Sequence, residues 1–184
     1  MICGCDEVGR GCLAGPVVAS SVVLPFPYPK IFEKIKDSKA LSPTKRIYYF
    51  NQILENAISW SVIEISPKII DKINILQASL LAMRKSIQLV YQSGIKVYVD
   101  GIFSPLPENR NIIPLIRGDM LEPAVSAASI VAKVYRDRVM SKLSYFEPRY
   151  HFHLHKGYPT KKHKEMISKY GISKYHRVTF RSER

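Results

Sequence analysis

Apolar and polar positions change period several times along the 184 residues. Residues 2–5 and 17–24 are short apolar runs that read as strands, joined by a glycine-rich segment over 9–16. Pro25, Pro27 and Pro29 then break regular structure. Ser42-Pro43 opens a helix, with Ser42 as N-cap and Pro43 in the first helical position. Residues 60–65 fit a strand, and Pro67 opens a short helical turn. From Asn74 the spacing becomes helical: Leu76, Leu80, Met83, Ile87 and Val90 form one apolar stripe that runs out at Gly94 and reads as core packing. Residues 97–99 and 112–116 are two further short strands, ending at Asp100-Gly101 and Gly118-Asp119. Pro123 starts a helix rich in small residues, including Ala124, Ser126, Ala127, Ala128, Ser129 and Ala132, which suits close approach to a sheet. Residues 160–170 form a last basic helix before a polar tail. Strands near both ends with helices between them predict a mixed α/β fold in a single domain.

This pattern puts carboxylates where strands end. Asp6-Glu7, Asp100 and Asp119 each lie at or just beyond the end of an apolar strand, so neighbouring strand ends can gather them into one cluster. Clustered carboxylates repel and raise one another's pKa unless cations neutralise them. Oxygen ligands suit hard divalent ions, and a pair of such ions is suited to phosphodiester hydrolysis. Gly9 and Gly11 flank Arg10, a planar, permanently charged fork suited to phosphate. On an ideal strand Asp6 and Glu7 point to opposite faces, so the strand must end or twist near Gly9 for both to serve one site. Turn formation explains Asp100-Gly101 equally well, and pairing with Arg117 explains Asp119.

Charge adds a partner class. Lys and Arg number 28 against 15 Asp and Glu, a net +13, which favours a polyanion such as nucleic acid. The three cysteines, Cys3, Cys5 and Cys12, are odd in number and follow no secretory signal pattern, which fits reduced thiols in the cytoplasm. The longest apolar stretch, residues 13–24, is too short to span a bilayer and contains Pro16. A soluble cytoplasmic protein without membrane partners is expected.

The motifs DEVGRG with LAGPVV, DSKALS, VDG at Asp100, GD at Gly118-Asp119, PAVSAASIVAKVYRDR, HKGYPTKKH and HRVTF run in order over nearly the whole chain. Together the sequence resembles the ribonuclease HII family. The resemblance implies a ribonuclease H-like fold, a central mixed β-sheet flanked by α-helices, with a core over about residues 1–145 and a helical substrate-binding part over about 146–184. It implies a monomeric endoribonuclease acting on RNA–DNA hybrids and on single ribonucleotides embedded in duplex DNA. It also implies Asp6, Glu7, Asp100 and Asp119 as catalytic ligands of one or two Mg²⁺ or Mn²⁺ ions, with Asp6 and Asp100 mainly at one ion and Glu7 and Asp119 near the other. The resemblance implies products with 5′-phosphate and 3′-hydroxyl ends. Gly9, Arg10 and Gly11 match the segment that reads the ribose 2′-hydroxyl, and Tyr158 matches the tyrosine that packs on the following sugar.

Other positions remain open at this level. Lys39 and Asn74 fit phosphate contacts, or equally a solvated lysine and a helix cap. Asp137, one turn after Lys133, fits a helical ion pair. His151, His153 and His155 would share one side of an extended chain, as a polar or substrate-facing loop or, less simply, as metal ligands. His176, Arg177 and Phe180 fit packing or phosphate contact. Cys12 stands where the family commonly has proline, which loosens the loop, and the short tail after Phe180 implies fewer substrate contacts. The alternatives are a ribonuclease HIII-like preference for longer RNA tracts, which a distinct N-terminal domain would accompany, and a non-catalytic nucleic-acid-binding module.

Overall fold

The computed structural model describes residues 1–33, 35 and 41–180. Along the chain run β1 (Ile2–Val8), β2 (Val17–Leu24), α1 (Lys30–Glu33), α2 (Pro43–Asn56), β3 (Ser59–Ile65), α3 (Pro67–Ile73) and α4 (Ile75–Val90). Then follow β4 (Lys96–Asp100), β5 (Ile112–Leu115), α5 (Gly118–Leu121), α6 (Pro123–Phe146), a 3-10 turn (Pro148–Tyr150), α7 (Phe152–His155) and α8 (Lys161–Tyr170). Five strands form one sheet in the order β3-β2-β1-β4-β5. The pairs β3-β2 and β2-β1 are antiparallel, whereas β1-β4 and β4-β5 are parallel.

β2 lies inside the sheet and is buried along its whole length, which is why it reads as a mostly apolar run interrupted only by Ser20 and Ser21. Its odd positions Val17, Ala19 and Val23 join Cys3, Cys5, Val97 and Val99 in a core against α4. Val22 and Leu24 face the other way, toward α2 and the start of α6. The α4 contact is tighter than its apolar stripe suggests. The buried face runs through Ala78, Ser79, Ala82, Met83, Ser86, Ile87 and Val90, while Leu76 and Leu80 sit at its edge. Ser86 is tolerated there because it is bonded: its Oγ lies 2.7 Å from Ser21 Oγ, and its carbonyl accepts from Ser61 Oγ at 2.7 Å. On the opposite face, α6 presses directly on β1. A Cβ on Gly4 would fall 2.0 Å from the Ala124 carbonyl carbon, so only glycine allows that approach.

The C-terminal part forms a third small core from Ala14, Met140, Tyr150 and Phe152. It is stitched to the segment after β1 by backbone bonds from Leu13 N to Gly157 O, Gly15 N to Tyr175 O and Arg177 N to Leu13 O, each 2.8 Å. Asp71, in α3, holds the chain just beyond by accepting from Val178 N and Thr179 N at 3.0 Å each. Among the described residues no helix is long and apolar enough to cross a membrane. Lys39 and the rest of residues 36–40 lie outside the described residues, so its expected phosphate contact has no structural counterpart here.

Candidate active site

β1 does not end at Cys5 but runs three residues further, through Asp6, Glu7 and Val8. Its pairing with β2 continues to Val8↔Val18, whereas its pairing with β4 ends at Cys5↔Val99. The last three residues of β1 therefore overhang β4 on one edge. The next residues on the two parallel strands, Asp6 and Asp100, come to the same level. Strand alternation holds, as the ideal geometry requires: Cys5 Sγ contacts Ser86 of α4 at 3.6 Å, and Gly4 lies against α6. Glu7 shares a cleft of about 190 Å³ with Leu76, Leu80, Asp100 and Phe103, on the α4 side. Asp6 bonds Ser129 of α6, and a second cleft of about 150 Å³ holds Asp6 with Ser129, Lys133 and Tyr158. Glu7 lines that cleft too. The overhang, not a twist, lets carboxylates from opposite faces serve one edge of the sheet.

Burial raises the Asp6 carboxyl pKa well above its ordinary value, and the charges of Glu7 and Asp100 raise it further. Glu7 is raised by burial and by Asp100, against the opposing pull of Arg10, whose Nη1 lies 3.3 Å from Glu7 Oε1. The other Glu7 oxygen, Oε2, is buried with no hydrogen-bond partner. Asp100 Oδ1 accepts from Gly118 N at 2.8 Å, which fixes the start of α5 against the end of β4. Asp119 follows, buried, with its carbonyl accepting from Ser126 Oγ at 2.5 Å. Among the described residues no three acidic, histidine or cysteine groups close into a ready ion cage. The donor set is nonetheless suited to a divalent cation. It is all oxygen, Asp6 and Asp119 are buried with Glu7 and Asp100 half-buried, neighbouring acids raise the pKa of Asp6 and Glu7, and among the described residues one Glu7 oxygen lacks any proton donor.

The loop after β1 carries Gly9, Arg10 and Gly11. Gly9 has φ +95°, and a Cβ there would meet Arg136 Nε at 2.2 Å. A Cβ on Gly11 would meet nothing within 4 Å. The sequence matches the model of the family described as Ribonuclease HII over residues 3–183. The chain belongs to the ribonuclease HII family. The ribonuclease HII of Borrelia recurrentis is 46% identical over 98% of this chain and 99% of its own length. That of Polynucleobacter necessarius is 48% identical over 97% and 91%. Among solved structures, the Archaeoglobus fulgidus ribonuclease HII in its PCNA complex superposes with TM-score 0.82 at 25% identity, over 98% of this chain and 95% of that one. Ribonuclease H2 of Pyrococcus horikoshii gives TM-score 0.79 at 26% identity, covering 98% and 94%. A ribonuclease HIII solved with Mn²⁺ shares the fold, with TM-score 0.80 at 18% identity over 98% of this chain and 67% of that one. The chain is thus an endoribonuclease of the ribonuclease H type, from a divalent-metal-dependent family that acts on RNA–DNA hybrids.

The other residues singled out in the sequence have these surroundings. Asn74 is exposed and at φ 66°, where it joins α3 to α4 and caps α4 by accepting from Gln77 N at 3.0 Å, so the helix cap accounts for it. Asp137 pairs with Lys133 at 2.8 Å. Tyr158 lies at the α6-side cleft, with Lys133 and Arg136 5.9 and 5.8 Å from its ring centre. Residues 151–155 are not extended: His151 is left-handed and Phe152–His155 is a helical turn, so His155 turns away while the His151 and His153 rings stay 6.1 Å apart. His153 bonds Ser144 at 2.8 Å, and His155 bonds the Tyr150 carbonyl at 2.8 Å.

His155 instead joins a buried group that the alternation concealed. It stacks on His163 at 4.1 Å between ring centres, and His163 Nε2 lies 3.1 Å from His176 Nε2. Burial, first of all, pushes both His163 and His176 down to about 4. Arg177 is fully buried, as the packing reading of the tail motif allows, and Arg136, which the sequence does not single out, is fully buried too. The HRVTF motif was the only sequence signal for Arg177, and nothing separated Arg136 from a surface helix arginine.

Proposed function

We propose that this chain cleaves the RNA strand of RNA–DNA hybrids and cuts duplex DNA on the 5′ side of single embedded ribonucleotides, leaving 5′-phosphate and 3′-hydroxyl ends. The observation that carries the reading is the strand-end group of buried Asp6 with half-buried Glu7 and Asp100, in which Glu7 Oε2 has no partner among the described residues, just before the Gly9–Gly11 loop. Asp6, Glu7, Asp100 and Asp119 would hold one or two Mg²⁺ or Mn²⁺ ions. Such ions, when bound, polarise the scissile phosphate, lower the pKa of a water and neutralise the departing oxygen.

The protein's own residues do the rest. Gly118 N anchors Asp100, and Ser129 anchors Asp6, so that two of the acids are held without rotamer freedom. Arg10 balances Glu7 and offers a cation at the loop surface. Gly11 leaves open space in which a sugar can approach the backbone, which fits recognition of the 2′-hydroxyl. Tyr158 offers a ring face across the α6-side cleft for the next sugar. The net charge of +13 favours the polyanionic duplex.

The test compares three duplexes in Mg²⁺ and in Mn²⁺: DNA with one ribonucleotide, the same duplex in all-DNA form, and a long RNA–DNA hybrid. A single cut 5′ of the ribonucleotide, with no cutting of the all-DNA control, is expected. Equal cleavage of the control, or recovery of a 2′,3′-cyclic phosphate, contradicts the reading.

A further inference from the structure

Behind the Gly9–Gly11 loop lies the most heavily bonded side chain of the C-terminal tail. Arg177, only 1% exposed, donates from Nη2 to Gly9 O at 2.7 Å and from Nη1 to Arg10 O at 2.8 Å. It also reaches Gly15 O from Nε at 3.1 Å and from Nη2 at 3.0 Å. Its guanidinium is stacked toward the Phe180 ring at 4.9 Å, and the tail around it is pinned by Leu13 and Asp71. Arg136, from α6, makes a similar set one step further along the chain. It donates to Pro16 O at 2.9 Å, Lys156 O at 2.8 Å and Ala14 O at 3.1 Å.

The two arginines differ in which peptide groups they hold. In a trans peptide the C=O and the following N–H point in opposite directions. Drawing the Gly9 and Arg10 carbonyls inward onto Arg177 therefore turns the N–H groups of Arg10 and Gly11 outward. Both residues are exposed, and among the described residues no atom beyond Gly11 and its chain neighbours lies within 4 Å of where a Gly11 side chain would be. A rigid fork with several donors can hold two adjacent carbonyls at once, which a lysine ammonium on a flexible stem cannot reproduce.

We infer that Arg177 is a positioning residue for recognition of the ribose: it sets the two outward N–H groups of the Gly9–Gly11 loop as the donors that meet the 2′-hydroxyl. The tail therefore contributes to substrate choice without touching substrate. This rests on the proposed reading of the loop. Arg136 supports the wall behind the loop but holds none of its carbonyls.

Steady-state cleavage of duplex DNA with one embedded ribonucleotide separates the two arginines, provided each variant is assayed below its own melting temperature. Arg177→Lys keeps the charge and loses the fork. It is expected to raise KM about tenfold with kcat within about threefold of the parent, since the lost contact is made in ground and transition states alike. Arg136→Lys, which likewise gives up its hold on three carbonyls, is expected to leave KM within about threefold. An equal rise of KM in both variants, or an effect of Arg177→Lys confined to kcat, overturns the proposal.

A measurement on the unaltered protein does not depend on folding of a variant. In metal-free buffer, the amide resonances of Arg10 and Gly11 are expected to move on addition of the single-ribonucleotide duplex and to move less with the all-DNA duplex. Equal responses to both duplexes overturn the role of these donors. If the unaltered protein does not cut beside the ribonucleotide at all, the substrate reading itself falls. Normal cutting with unresponsive amides removes only the role of Arg177.

Discussion

The two glycines of the Gly9–Gly11 loop carry opposite burdens, and alanine scanning separates them. Gly9 sits at φ +95°, a region costing an L-residue roughly 1–2 kcal/mol. Its new Cβ would also stand 2.2 Å from Arg136 Nε and 2.8 Å from Arg136 Cδ and Cζ. Arg136 cannot swing aside freely, because three buried carbonyls hold it; breaking one such charged bond costs about 1.5–3 kcal/mol. Gly9→Ala should therefore lose about 3–5 kcal/mol, a fall in Tm on the order of 10 °C for a chain of this size. Gly11 has no positive φ and no neighbour within 4 Å of a Cβ, so Gly11→Ala should change stability by less than about 0.5 kcal/mol. The space beside it is where a sugar would approach, so the same variant should raise KM for the single-ribonucleotide duplex several-fold. Thermal melts by circular dichroism and cleavage assays on both variants check this. A large drop in Tm for Gly11→Ala, or an unchanged KM in it, would refute the division of roles.

Gly4→Ala should force α6 away from β1, because the Cβ would lie 2.0 Å from backbone of Ala124; a loss of about 1–3 kcal/mol in denaturant unfolding is expected. A midpoint equal to that of the parent would contradict the close packing. Acid should destabilise the fold through the buried histidines. His163 and His176 are held at about 4, below the ordinary 6.5, so the unfolded chain takes up protons first as pH falls. The stability they allow is complete above pH 6.5 and is lost progressively down to pH 4, with about 2 kcal/mol lost per histidine at pH 5. Melting curves from pH 7.5 to 4.5 should show this fall, and His163→Gln should flatten it; the same slope in that variant would count against the histidine origin.

Much of this architecture is legible in the sequence because burial imposes period. The α4 spacing, the Ser42-Pro43 start of α2 and the small-residue run of α6 all predict elements that form, and Asp6 and Asp100 stand at the ends of neighbouring strands. The extent of β1 is not legible in the same way. Asp6 and Glu7 look like the polar end of a strand, yet pairing with β2 carries the backbone past them, and only the shorter pairing with β4 exposes them. Buried polar groups are legible only in part: packing is one of the two readings that the tail motif leaves open for His176 and Arg177, whereas nothing marks Arg136 or His163. Arg136, Arg177, His163 and His176 carry the residue types of a basic surface, and what buries them is bonding to carbonyls and rings far away in sequence. The alternating His151, His153 and His155 mislead for the converse reason, since two left-handed residues, His151 and Lys156, bracket a helical turn that no hydrophobic pattern announces.

The central claim is that the acids at the overhang of β1 perform the cleavage, and Asp6→Asn tests it most directly. Asparagine preserves shape and the bond available to Ser129 but removes one of the charges that would hold divalent ions. Single-turnover cleavage of the duplex with one ribonucleotide, measured alongside binding of the same duplex, should show turnover abolished while affinity stays within a few-fold of the parent. Undiminished cleavage by Asp6→Asn would contradict the assignment.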